Sequence, residues 1–206
     1  MKFIYVLLAC FLFIAAPAGA QIYFGGEVGV NGATYTGKLG GNKRSIKFGE
    51  TFGAIFSKDI SWRSSLQTGI YYARNGYTVV YYGHTYKVGI NTFEIPLSFE
   101  TQVGRAKAQN YFIGGGPYVG MNLNGKTTLT GGAFPTAQDL KVGGGGNDDI
   151  KRFDAGVGIW FAAQVYKGFF FRLRCQSSFF SLDPKDPGDN PMRNQAVRLT
   201  LGYMFE

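Results

Sequence analysis

Apolar and polar residues alternate along much of this chain, and the alternation is clearest near its C-terminal end. One face of this stretch is wholly apolar and comprises Val197, Leu199, Leu201, Tyr203 and Phe205. The opposite face is small or polar, with one arginine, and comprises Ala196, Arg198, Thr200, Gly202 and Met204. A period of two is that of a β-strand whose two faces meet different surroundings. We therefore predict a strand here.

The same alternation recurs upstream. Seven further stretches show a strand pattern: 22–30, 46–56, 66–73, 93–100, 111–123, 153–161 and 169–176. The stretch 46–56 is less regular, because Glu50 interrupts its apolar face, and we expect a β-bulge near Gly49. After residue 20 there is no run of about 18 apolar residues, so no spanning helix is predicted. Eight strands make an even number, as in single-chain outer-membrane barrels.

Alternation alone does not decide which face of a barrel points outward, because a soluble barrel has the same period with its apolar face inside. Here glycines crowd the polar face, where they would make room for arginines in a narrow lumen, and the connections alternate in length. Three are short (58–63, 104–109 and 166–168) and three are longer (37–44, 124–150 and 182–194). Short periplasmic turns and longer outer loops are typical of membrane barrels. The predicted fold is all-β: an eight-stranded antiparallel up-and-down transmembrane β-barrel.

The remaining outer connection, 75–91, keeps strand-forming residues on both sides of Gly83-His84. It therefore predicts a β-hairpin that projects past the membrane surface. Four tyrosines line this hairpin: Tyr77, Tyr81, Tyr82 and Tyr86. Exposed aromatic residues often mark interaction sites, so these are candidate partner-binding residues. They would equally serve as cross-strand pairs that hold the hairpin together.

Residues 1–20 have the pattern of a signal peptide. Lys2 supplies a basic start, an apolar run covers 3–16, and Ala18-Gly19-Ala20 provides the small residues of a cleavage site. The predicted barrel domain is therefore 21–206, exported to the outer membrane of a Gram-negative cell. A lipoprotein cleavage at Cys10 is the alternative, but it would leave an apolar run shorter than a signal peptide needs.

The chain is basic, with a formal net charge of +8. Nucleic acid is not an expected partner, because the basic residues are scattered and an exported protein rarely meets it. Anionic lipid headgroups are the expected partner of this charge. Candidates at the outer rim are Lys38, Lys43, Arg44, Lys87, Lys126, Lys151 and Arg152.

Seven charged residues fall on the inward faces of the predicted strands: Glu27, Glu94, Glu100, Asp154, Arg172, Arg174 and Arg198. The interior of an eight-stranded barrel is just wide enough for side chains, and buried charges must pair or they destabilise the fold. We therefore predict a salt-bridged charge network that plugs the lumen. A small passive pore is the alternative, if these groups leave a continuous water path.

Other candidate chemistry is weak. His84, the single histidine, would be needed by a lipid-modifying enzyme, but it has no acidic or serine neighbour close in sequence. The oxygen-bearing residues Asp183, Asp186, Asp189 and Asn190 suggest Ca²⁺, although their spacing is not that of an EF-hand. The glycines at 143–146 lack the Lys-Ser/Thr of a phosphate loop. We predict no catalytic residue, cofactor or metal.

Four segments resemble the PorT-like outer-membrane β-barrel family of Bacteroidota. They are Leu-Gln-Thr-Gly-Ile-Tyr-Tyr at 66–72, Phe-Glu-Ile-Pro-Leu at 93–97, Gly-Gly-Pro-Tyr-Val-Gly at 115–120 and Leu-Thr-Leu-Gly-Tyr-Met-Phe at 199–205. The resemblance implies a barrel embedded in outer-membrane lipid and inserted by the barrel-assembly machinery, but no shared activity. We expect a non-enzymatic structural or interaction protein, such as an accessory subunit, whose outer loops bind an envelope protein or a glycan.

Overall fold

The computed structural model describes residues 21–39, 42–106, 109–131, 135–145, 147–185 and 191–205, so the predicted signal peptide at 1–20 lies outside the described residues. The strands in chain order are β1 (Ile22–Tyr35), β2 (Lys38–Leu39), β3 (Asn42–Lys43), β4 (Ser45–Ser61), β5 (Ser64–Tyr81), β6 (His84–Ala106), β7 (Gln109–Thr130), β8 (Thr136–Leu140), β9 (Val142–Gly143), β10 (Ile150–Lys151), β11 (Phe153–Tyr166), β12 (Phe169–Ser178) and β13 (Asn194–Phe205). Within these ranges, no helix is long and apolar enough to cross a membrane.

Eight of these strands form a closed antiparallel ring. Its order is β1, β4, β5, β6, β7, β11, β12 and β13. The ring closes where β13 pairs with β1, with Leu199 opposite Val30. Each strand neighbours the next along the chain within the ring, which is the up-and-down arrangement. The predicted fold class is confirmed.

The barrel is apolar outside and polar inside. Outward side chains such as Phe171 and Leu199 are 49% and 54% exposed. Between them, inward side chains such as Arg172 and Arg198 are buried. Because the period of a strand is two, every second residue faces the lumen, and the sequence pattern assigns the faces correctly.

The irregularity predicted in the second barrel strand is confirmed. The register between β4 and β5 shifts between Ile46 and Thr51, where β4 carries one residue more than β5. Gly49 lies in this bulge, and a side chain there would collide with the backbone carbonyl of Arg74. A glycine is therefore required where the two backbones approach closely.

The two ends of the barrel differ. At one end the strands are joined by tight turns, such as Lys167-Gly168 between β11 and β12, and this end also holds the start of β1 and the last residues of β13. At the other end, β5 and β6 continue past the ring as a hairpin that turns at Tyr82-Gly83. The predicted hairpin at 75–91 is thus confirmed.

One prediction about the long-loop end is wrong. The sequence pattern predicts a loop over 124–150, but β7 continues to Thr130 and pairs with both β6 and β8. The segment from Lys126 to Thr130 is rich in threonine, which favours strands on a pleated surface. The projecting element is therefore a sheet of four strands, β5 to β8, which we call the outer sheet.

Candidate functional site

The polar lumen is the first candidate site, and its centre is an ion pair. Arg198 of β13 donates from Nη2 to Oε1 of Glu94 on β6 at 2.6 Å. Both side chains are 2% exposed. The Nε2 atom of Gln176 and the Nδ2 atom of Asn75 also donate to this carboxylate, at 3.2 and 3.4 Å. Glu94 thus joins strands on opposite sides of the barrel.

Two asparagines extend this network to the first strand. Arg198 donates from Nε to Oδ1 of Asn31 at 3.3 Å, and Asn31 donates to Asn75 at 2.8 Å. Sequence reasoning missed both asparagines, because it selected charged residues only. Their position on the inward face of the alternation was the signal that would have identified them.

A second ion pair lies nearer the tight-turn end. The guanidinium of Arg172 is 3.1 Å from the carboxylate of Glu27, and both are buried. Arg172 also donates to the hydroxyl of Tyr71 at 3.3 Å and lies 4.4 Å from the ring centroid of Trp160. Aromatic faces stabilise a guanidinium that has left water, so these rings support the pair.

The other three predicted lumen charges have no ion-pair partner among the described residues. Arg174 is buried over the ring of Tyr71, 5.0 Å from its centroid. Glu100 accepts a hydrogen bond from Ser65 at 2.6 Å.

Asp154 accepts hydrogen bonds from hydroxyl groups instead. Ser178 donates to its Oδ2 atom at 2.8 Å and Tyr118 donates to the same atom at 3.2 Å. The structure thus forms ion pairs from four of the seven predicted lumen charges.

Between these polar groups and the tight-turn end, the lumen is open. A cavity of about 470 Å³ lies there, and Arg172 and Glu100 are among the residues that line it. Most of the other polar lining groups are hydroxyls and carboxamides, such as those of Ser65, Gln67 and Gln164.

Above the polar layers an apolar cluster covers the lumen. The cluster begins at the next inward positions of the same strands. Tyr77 is the inward residue after Asn75 on β5, and Ile90 is the inward residue before Thr92 on β6. We call it the outer cluster, and its buried members are Tyr35, Tyr77, Val79, Val88, Ile90, Ile150, Leu182 and Met192. The loops therefore fold back over the barrel mouth. Sequence reasoning missed this cluster, because its loop members show no periodicity.

The four hairpin tyrosines do not form one surface. Tyr77 is 9% exposed and belongs to the outer cluster, where its ring lies 5.5 Å from that of Tyr35. Burial raises the pKa of the Tyr77 phenol, and the nearby Arg44 guanidinium partly opposes this rise. Tyr86 packs against the same cluster. Tyr77 is thus excluded from a partner-binding surface.

Tyr82 lies at the tip of the hairpin and is 84% exposed. The backbone φ angle is +48° at Tyr82 and +75° at Gly83, so both turn residues adopt the left-handed conformation. This is the conformation of a two-residue hairpin turn that favours Asn-Gly, and a bulky residue rarely adopts it. The ring of Tyr81 packs edge-on against that of Tyr82, with 4.3 Å between the ring centroids.

The remaining candidates gain little support. His84 pairs across the turn with Tyr81, and in the described part of the chain no hydrogen bond or ion pair joins it to an acidic or serine side chain. Of the proposed Ca²⁺ ligands, Asp183 is described, whereas Asp186, Asp189 and Asn190 lie outside the described residues. Within the described ranges, no group of three His, Cys, Asp or Glu side chains is placed to hold a metal ion.

Comparison with solved structures shows similarity to small outer-membrane proteins. Ail, the attachment invasion locus protein of Yersinia pestis, has a TM-score of 0.47 and 10% identity, covering 90% of this chain and 99% of Ail. Neisserial surface protein A has a TM-score of 0.47 and 11% identity, covering 91% and 100%. OprG from Pseudomonas aeruginosa has a TM-score of 0.47 and 14% identity, covering 92% and 97%. No curated protein matches the sequence significantly.

The sequence profile described as "Outer membrane protein beta-barrel domain" matches residues 17–183, which is most of the chain. The closed ring, the apolar outward face and the polar lumen agree with that match. The chain therefore belongs to the outer membrane protein beta-barrel domain family, and it is a small β-barrel protein of the outer membrane.

Proposed function

We propose that this protein is a non-enzymatic anchor that presents its outer sheet to a partner in the cell envelope, as a structural or accessory subunit. The observation that carries the proposal is Tyr82, an 84% exposed tyrosine held in a left-handed turn. Non-glycine residues held in this region cluster at functional sites, although Lys167 adopts it in a plain tight turn. An exposed aromatic ring at a hairpin tip is a suitable anchor for a protein or glycan surface.

The filled lumen supports an anchor rather than a conduit. Two buried ion pairs, Glu94–Arg198 and Glu27–Arg172, cross the barrel interior. The outer cluster then covers the mouth with apolar side chains. Both features make the barrel a rigid base from which the outer sheet projects.

A photo-crosslinking amino acid in place of Tyr82 tests the proposal in living cells. The matched control is the same amino acid in place of Trp62, which is 81% exposed at the opposite end. We expect a discrete adduct at position 82, identified by mass spectrometry for a protein and by glycan staining for a saccharide. Absence of any adduct at position 82, or the same adduct at both positions, would overturn the proposal.

A small passive pore is the second candidate, and the cavity of about 470 Å³ at the tight-turn end favours it. The two candidates differ in a planar bilayer. The anchor is expected to be electrically silent as a purified monomer, whereas a pore gives discrete conductance steps.

We also infer a PorT-like member of the family from Bacteroidota that is exported by cleavage after Ala20 and inserted by the barrel-assembly machinery. The segments at 66–72 and 93–97 support the kinship. N-terminal sequencing of the protein from native membranes is expected to begin at Gln21. Depletion of the assembly machinery is expected to leave the barrel unfolded in the periplasm.

A further inference from the structure

Four cations gather on the outward wall of the barrel at the long-loop end, and two of them, Lys47 and Arg74, are not among the predicted rim cations. They come from four adjacent strands: Lys47 of β4, Arg74 of β5, Lys87 of β6 and Lys126 of β7. Arg74, Lys87 and Lys126 are exposed, and Lys47 is half-buried. We call this group the cationic cradle.

The floor of the cradle is formed by two glycines. Gly76 and Gly89 are opposite each other in the β5–β6 pairing, and Lys126 is opposite Gly89 on the other side. Directly opposed residues carry their side chains on the same face, so the glycines leave a depression beside Lys126, and the Lys47 side chain covers it. Two cations meet over Gly89. A Cβ atom at this position would lie 2.8 Å from the Nζ atom of Lys47 and 3.7 Å from the Nε atom of Arg74.

Neutral donors border the floor on both sides. The row nearer the membrane holds Asn91 and Asn124, whose side chains hydrogen-bond to each other at 2.8 Å. The row beyond it places Thr78 and Thr128 on either side of Lys87. Amide and hydroxyl groups suit sugar hydroxyls, whereas the ammonium and guanidinium groups suit phosphate.

The cradle lies where the apolar belt ends on β5, beside exposed apolar side chains that continue on β4. On β5 the outward positions pass from Ile70, 55% exposed, through Tyr72 to Arg74. On β4 Glu50 follows Phe52, which is 51% exposed, but Phe48 and Ile46 beyond it are again exposed, at 77% and 58%. Because the longer loops mark the outer side, this boundary meets the headgroups of the outer leaflet.

Carboxylates neutralise the cradle only in part. Arg74 is 3.4 Å from Glu50, and Asp139 of β8 is opposite Lys126 in the strand pairing. Among the described residues, no ion pair joins Lys47, Lys87 or Lys126 to a carboxylate. The excess positive charge favours an anion.

We propose that the cationic cradle binds the phosphorylated sugar headgroup of an outer-leaflet glycolipid. Phosphate oxygens contact the Lys47 ammonium where it covers Gly76 and Gly89, within reach of the other three cations. The sugar hydroxyls lie against the asparagine and threonine rows, and the acyl chains continue down over the apolar belt. This site is distinct from the tip that carries the proposed function, and it fixes the depth and orientation of the barrel.

Native mass spectrometry of the folded barrel in a neutral detergent tests this site with purified lipid A. The test variant is Lys47→Gln/Lys87→Gln. The matched control, Lys141→Gln/Lys185→Gln, removes two exposed lysines from the outer loops at the same end. Each basic residue near a headgroup contributes enough affinity that losing two is expected to weaken lipid A retention by roughly tenfold or more. The control is expected to retain lipid A as the unmodified protein does.

A third variant and a second lipid complete the test. Gly89→Asp places a carboxylate on the floor without deleting a cation, and it is expected to weaken retention as well. Dephosphorylated lipid A is expected to bind no better to the unmodified protein than to the test variant. Equal loss in the test and control pairs, or retention of lipid A that is independent of its phosphate, would overturn the proposal. Heat-modifiable migration on gels verifies that each variant is folded.

Discussion

The charge of Arg198 is important for the stability of the lumen, because the Glu94 carboxylate beside it is only 2% exposed. Arg198→Leu leaves a buried carboxylate whose remaining donors, Gln176 and Asn75, are uncharged. Removing one partner of a buried ion pair typically destabilises a protein by about 3–5 kcal/mol. We expect the temperature at which the folded band disappears in heat-modifiability gels to fall markedly.

Two variants separate the ion pair from a general effect of losing a charge. Arg74→Leu removes an arginine whose ion pair with Glu50 is 3.4 Å long but half-exposed, and such pairs contribute about 0–1 kcal/mol. The double variant Glu94→Leu/Arg198→Leu removes both charges together, and it is expected to recover most of the lost heat resistance. Equal sensitivity of the single and double variants would contradict this account.

Asp154 is a predicted lumen charge like Glu94, but we expect its substitution to have a different effect on stability. Its partners are the hydroxyls of Ser178 and Tyr118, which donate to the acceptor oxygen that an asparagine retains. Asp154→Asn also removes a buried charge that has no cation partner in the described residues. We expect its midpoint of thermal unfolding to be unchanged or higher, whereas Glu94→Gln lowers it. A loss with Asp154→Asn as large as with Glu94→Gln would contradict the assignment.

These contrasts show how far single residues could be predicted. Alternation correctly placed the charged residues inside, because each strand has one polar face. It did not reveal which carboxylate meets which arginine, because Glu94 and Arg198 are 104 positions apart and meet only through closure of the ring. Nor could it place Lys47 on the outward wall, since the bulge after Ile46 changes the register.

At the scale of elements, the outer cluster joins the hairpin to a loop that has no strand pattern. Leu182 is fully buried in the cluster, and its backbone amide donates to the carbonyl of Met192 at 2.8 Å. Truncating a large buried side chain typically costs about 2–5 kcal/mol. Tyr77→Ala and Leu182→Ala are therefore each expected to loosen the whole cap, and both should accelerate cleavage of the outer loops by a protease added to intact cells.

The matched control for these variants is Tyr82→Ala, which removes an aromatic ring of the same size that is 84% exposed. Its outer loops should resist the protease like those of the unmodified protein. Retained resistance in Leu182→Ala would show that this loop and the hairpin are separate units.

Strands could be predicted wherever apolar and polar residues alternate along them. Strands without this alternation were missed. The barrel strands meet lipid on one side and a polar lumen on the other, so the environment itself imposes the period of two. Beyond the membrane, β7 and β8 meet water and a small apolar core instead. Residues such as Thr127 and Thr128 then fit a strand without alternating strongly, and strand propensity was the remaining signal.

The whole molecule contains two barriers in series along one axis, and this arrangement predicts how conduction would arise. The polar barrier is the network around Glu94 and Arg198, and the apolar barrier is the outer cluster. The interior of an eight-stranded barrel is only wide enough for side chains, so truncating them opens space for water. Glu94→Ala/Arg198→Ala removes the first barrier, and Tyr77→Ala/Leu182→Ala removes much of the second.

Because the barriers act in series, each double variant alone is expected to stay silent in a planar bilayer, like the unmodified protein. The quadruple variant is expected to give conductance steps, provided that it still migrates as a folded barrel. Steps from the Glu94→Ala/Arg198→Ala variant alone would mean that the outer cluster does not seal the mouth. Steps from the unmodified monomer would instead favour the passive pore over the anchor, since the cavity at the tight-turn end would then connect through both layers.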